Sequence, residues 1–172
     1  MRTTAATTLM VCGLLVASCT TERPHADAPT VLGVIASGTA AGKDWRAELV
    51  PDDKNRGTLC TRVMLDSRAV SQACPPPADT EIPLNFVIDQ SSANAGFLYG
   101  VVSNEVRRLS AQPGEGPSQE VTIKSFSEDP KRRYFAFAFS GKIPTALHAY
   151  GERGEELANG DSKLQQARQS SG

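Results

Sequence analysis

Histidine is scarce in this chain. Two occur in 172 residues, His25 and His148. Neither stands at a metal-ligand spacing from a cysteine, so the pattern supports no Cys/His zinc site and implies no cofactor. Excess charge is also missing. Eighteen Lys and Arg face nineteen Asp and Glu, which leaves no electrostatic footprint for nucleic acid and no charged tail that would dictate a partner. The longest apolar core, Leu9–Ala17, is nine residues, whereas a membrane-spanning helix needs about 20. Aromatics make up 6% of the chain with a single Trp, and nothing pairs them with a basic groove, so a base-stacking platform is not indicated. No repeat of fixed period is present.

Catalytic signatures are thin. There is no Gly-x-Ser-x-Gly elbow. Gly38–Lys43 has the look of a phosphate loop but carries three residues between its glycines instead of four, and Asp44 stands where Ser or Thr should hold magnesium. It reads as a Gly-rich turn. The acidic pairs Asp52-Asp53, Glu128-Asp129 and Glu155-Glu156 all fall in turn-like stretches, where acids are common. A calcium site at Asp52-Asp53 lacks EF-hand spacing. His148 is the one histidine of the expected folded part. At strand spacing it shares a face with Tyr150, and an exported hydrolase assembled around it is the enzymatic alternative.

What the chain does have begins at its start. Arg2 is the only charge before Glu22, an apolar core follows, and small residues lead to Cys19. That is the order of a secretory signal. A retained membrane helix is the competing reading, although six residues between Thr3 and Thr21 are Thr. Val16-Ala17-Ser18-Cys19 resembles the bacterial lipobox. The resemblance implies diacylglycerol on the Cys19 sulfur and cleavage just before it; Val16 replaces the commoner Leu. Several acyl chains on one residue exceed what stable anchoring requires. The other outcome is ordinary signal cleavage with Cys19 left as a free thiol.

Four segments follow from this: residues 1–18 as signal peptide, 19–30 as lipidated Cys and flexible tether, 31–158 as the folded domain, and 159–172 as a disordered tail. Cleavage leaves 154 residues, enough for one domain with a real core. With Arg2 gone, 17 basic residues face 19 acidic ones, a net charge of −2. Cys12 departs with the leader and Cys19 carries lipid, so Cys60 and Cys74 remain. In an exported chain such a pair reads as one disulfide, and closing its loop is worth about 3 kcal/mol. The tether Thr20–Thr30 would span about 34 Å if extended.

From Val31 onward the pattern is short strands punctuated by turns. Asp44–Val50 places Trp45, Ala47 and Leu49 on one face, with Arg46 and Glu48 on the other. Gly96–Ser103 is apolar throughout, as suits a strand covered on both faces or at the sandwich centre. Tyr134–Phe139 puts Phe135, Phe137 and Phe139 opposite Tyr134, Ala136 and Ala138. Glu128–Arg132 reads as a polar turn. Asn159–Gly172 lacks a hydrophobic face and is expected to fray. About ten strands without a convincing helix predict an all-β fold, an antiparallel two-sheet β-sandwich of immunoglobulin-like kind, with a closed barrel as second choice.

Three segments, FLYGVVSNEVRRL, RRYFAFAFSGKIP and LHAYGERGEEL, resemble stretches of small exported lipoproteins of actinobacteria. The resemblance covers Gly96 to Leu157. It implies a β-sandwich at the cell envelope and carries over no catalytic residues. The expectation is therefore a lipoprotein anchored on the outer side of the cytoplasmic membrane. Its partners would be the bilayer, through acylated Cys19, and an envelope protein or ligand of unknown identity. A purely structural envelope role is the further alternative.

Overall fold

The computed structural model describes residues 30–55, 57–76, 82–92, 95–114 and 116–170. The expected signal peptide, Cys19 and most of the tether lie outside them. The fold is all-β and antiparallel, as predicted, with one short helix at the end.

Alternation sets the strands and turn chemistry joins them. Strands β1 (Gly33–Ala40), β2 (Lys43–Pro51), β3 (Leu59–Leu65) and β4 (Arg68–Ala73) form a meander in that order. Two of its hairpins use two-residue turns with positive φ at both positions, Ala41-Gly42 and Asp66-Ser67, the geometry that matches strand twist. Gly38–Lys43 is thus part of a tight hairpin, as its glycines suggested. A second sheet runs β5 (Leu84–Ser92), β6 (Ala95–Ser103), β10 (Asp129–Phe139), β9 (Ile123–Phe126). A third runs β12 (Glu156–Asn159), β11 (Ala146–Tyr150), β7 (Arg108–Gln112), β8 (Gln119–Val121). Strands β8 and β9 are one run interrupted at Thr122. The chain pairs with β7 on one side of that break and with β10 on the other, so it turns a corner between two sheets.

The strands fall into three sheets where two were expected, in a sandwich-like arrangement. The reason lies in β6 and β10. Phe97, Tyr99, Val101 and Tyr134 enter one core with Trp45, Ala47, Leu49 and Val63 of the first sheet. Leu98, Val102, Phe135 and Phe139 enter a second core with Leu109, Leu147 and Ala149 of the third. The middle sheet is apolar on both faces, so each face needs a covering sheet.

Two further expectations are corrected. Glu128–Arg132 is not simply a turn: β10 begins at Asp129, which is buried. Its Oδ2 accepts hydrogen bonds from Tyr134 Oη and Arg132 Nε, each at 2.6 Å, and these partners let an acid sit inside. Burial, then the bond to Asp129, pushes the Tyr134 phenol far above its usual value. The tail predicted to be disordered contains helix α1 (Asp161–Ser170). Leu164 is fully buried in the second core, with Ala167 packed beside it. Lys163 Nζ donates to the Phe86 carbonyl and lies over that ring, while Arg168 Nη1 donates to the Pro144 carbonyl at 3.0 Å. Asp161 in the first turn and Arg168 in the last also suit the helix dipole.

Candidate functional site

The outward face of the third sheet carries the one histidine singled out by the sequence. Backbone register brings His148 opposite Ser110 on β7 and Asn159 on β12. Paired residues project to the same face, so these three share it. His148 Nδ1 meets Glu156 Oε2 at 2.7 Å, and its Nε2 lies 3.4 Å from Asp161 Oδ2. Asp161 uses its other oxygen to accept the Leu147 backbone N–H at 3.1 Å. Asn159 Nδ2 donates to Glu156 Oε1 at 2.9 Å. That bond, followed by the one to His148, holds the Glu156 carboxyl below its ordinary value.

His148 and Tyr150 do share a face, and their rings stack at 6.2 Å with 14° between planes. Arg108 lies 4.4 Å above the Tyr150 ring centre on the same face, a cation–π contact. The result is a ladder of Arg108, Tyr150 and His148 ending in two carboxylates. Its chemistry is that of a braced imidazole. A general base needs a ring nitrogen free to take a proton from a hydroxyl, and here each nitrogen faces an acid. Ser110, the register partner, hydrogen-bonds through Oγ to Ser118 Oγ.

Cys60 and Cys74 form the expected disulfide, on β3 and just beyond the end of β4 with Cα atoms 4.0 Å apart. The Asp52 carboxylate lies within 4.8 Å of both sulfurs, but bonded sulfurs are not thiolate ligands. Asp52 instead organises its own turn. It accepts Lys54 N–H at 3.0 Å and Asn55 Nδ2 at 2.9 Å. Those contacts, the backbone one first, keep its carboxyl low.

An open groove of about 710 Å³ crosses the first sheet at the β1–β2 and β3–β4 turns. Ser37, Asp44, Arg46, Met64, Asp66 and Ser67 are among its lining residues, and no histidine or cysteine is. Lys43 Nζ stands 3.6 Å from Asp66 at its rim. Beyond the groove, on the same sheet, Glu48 is buried under Arg46 and Arg62. Sequence alternation missed this carboxylate, because it assigns Glu48 to the outer face and carries no signal for what closes over it.

Two runs of basic residues, Arg107-Arg108 and Lys131-Arg132-Arg133, meet different fates. Arg132 is consumed by Asp129 and by the Pro76 carbonyl, and Arg108 by Tyr150. Arg107 and Arg133 contact backbone carbonyls of one turn, Asn104 and Val106. No family model matches the chain, and no curated protein or solved structure is similar to it. No helix among the described residues is long and apolar enough to cross a membrane.

Proposed function

We infer that this chain is a membrane-anchored lipoprotein whose folded domain serves as a non-catalytic binding module outside the cytoplasmic membrane. The lipobox-like Val16–Cys19 supports the anchor, and the bilayer is the first partner. The observation that carries the non-catalytic part is the bracing of His148 by Glu156 and Asp161. The open groove of the first sheet, lined by both polar and apolar side chains, offers a place for an envelope protein or ligand to bind.

The test is an intact mass of the protein extracted from native membranes, before and after reduction, followed by crosslinking in the envelope. A mass for Cys19–Gly172 plus acyl chains, gaining two hydrogens on reduction, supports the anchored reading. An unacylated soluble species overturns it. If the protein is acylated but crosslinks to nothing, the structural envelope role takes over.

The exported-hydrolase reading keeps one observation, the placement of Ser110 opposite His148 with acids beyond the ring. Labelling of Ser110 by a fluorophosphonate, abolished by His148→Ala, would establish it. Absence of labelling in the folded protein favours the binding module.

A further inference from the structure

Two arginines at one end of the domain are left without an acid. Arg107 Nη1 donates to the Asn104 carbonyl and Arg133 Nη1 to the Val106 carbonyl, both at 2.7 Å. Val106 N–H in turn bonds the Ser103 carbonyl at 3.2 Å, which closes the turn that both side chains grip. Their guanidiniums are therefore pinned to neighbouring carbonyls, with further N–H donors unspent. Arg133 Nε is buried and unpartnered. Among the described residues, no carboxylate forms an ion pair with either arginine. Burial, and then the charge of Arg107, pushes Arg133 below the usual arginine value. A bound anion would relieve the repulsion between the two charges.

The direction in which the chain leaves the domain suggests which anion. Strand β1 starts beside β9: Gly33 packs against the Phe126 ring and Lys124 Nζ donates to the Val34 carbonyl at 2.9 Å. Arg133 pairs with Ser125 on that same strand β9. The described chain therefore begins at the end of the sheets where the arginine pair sits. Eleven residues, Thr20–Thr30, separate the domain from Cys19, a length short enough to keep this end near a surface that holds Cys19.

We propose that Arg107 and Arg133 form a phosphate-binding pair that seats this end of the domain on anionic phospholipid headgroups. The planar forks of arginine match phosphate oxygens two at a time. The proposal deepens the anchored reading and rests on it for orientation.

The experiment is vesicle co-sedimentation of the full chain carrying Cys19→Ala, on phosphatidylcholine with and without phosphatidylglycerol. The apolar leader contributes to both vesicles, so the ratio of the two partition coefficients isolates the headgroup effect. Each arginine is expected to contribute about fivefold to that ratio, so Arg107→Gln/Arg133→Gln should lose both factors. Arg107→Lys/Arg133→Lys should recover only part, because charge without the fork is incomplete. Arg107→Gln alone, at an exposed side chain, gives the single factor even if the Arg133 variant does not fold. An unchanged ratio in these variants overturns the proposal. So does an equal loss from Lys54→Gln/Arg153→Gln, which would mark diffuse charge. Calorimetric binding of inorganic phosphate without vesicle preference would reassign the pair to a free anion. Acylation of Cys19 is read separately by mass, so a failed anchor and a failed headgroup site give different results.

Discussion

Arg62 closes over Glu48. Its Nη2 and Nε donate to Glu48 Oε2 at 2.7 and 3.2 Å, while Arg46 Nε donates to Oε1 at 2.5 Å. The carboxylate is 2% exposed although it lies on the outer face of the first sheet. Burial raises its pKa, and the hydrogen bonds from Arg62 and Arg46 outweigh that, leaving it below the ordinary glutamate value.

The sign of the pH effect follows. A carboxyl whose folded pKa is depressed contributes stability that is complete above its unfolded pKa and is lost as pH falls through the folded value. Glu48→Gln keeps the volume and removes the charge, stranding Arg62. Urea unfolding at neutral pH should show a loss of about 1–3 kcal/mol. The difference from wild type should shrink as the pH is lowered through the acid range. A variant equal to wild type at neutral pH would mean that the two arginines find water as readily as they find Glu48.

Reduction of Cys60–Cys74, or Cys60→Ala/Cys74→Ala, should cost about 3 kcal/mol while the β-sheet circular dichroism persists. The bridge ties the start of β3 to the chain leaving β4 and does not reach the second core. Loss should therefore appear as a lower denaturation midpoint, not as a missing sheet.

Leu164→Ala should cost about 2–5 kcal/mol, because the side chain is fully buried. Limited proteolysis should then release the tail at the β12–α1 junction earlier than in wild type. A tail cut equally fast in both proteins would show that α1 is held by Lys163 and Arg168 and not by its one deeply buried residue.

Gly100→Ala tests the middle sheet. A Cβ at this position would stand 2.0 Å from the Asn85 carbonyl oxygen and 2.7 Å from Phe86 Cα. Because the clash is with backbone, β5 must shift away from β6. The expected loss is about 1–3 kcal/mol or more, measured by thermal or urea unfolding. A neutral result would mean that β5 has room to move at its edge.

Local pattern and tertiary structure divided this protein in a way that follows from range. The period of two in Asp44–Val50 and Tyr134–Phe139 is a property of a single strand, so the buried faces of Trp45, Ala47 and Leu49 and of the Phe stripe were legible in the sequence. The continuous apolar run of β6 announced a strand covered twice. The two cysteines left beyond the leader announced their bridge. Only the tertiary structure decided that three sheets stack, since each strand pattern reports which face is buried and never which sheet covers it. Only the tertiary structure decided that Glu48 and Asp129 lie inside, that His148 is braced by Glu156 and Asp161, and that a largely polar tail folds as α1. At Glu48 the desolvation cost is met by Arg62 from the neighbouring strand, and at Asp129 by Arg132 and Tyr134 of its own strand, and the alternation of apolar residues signals neither pairing.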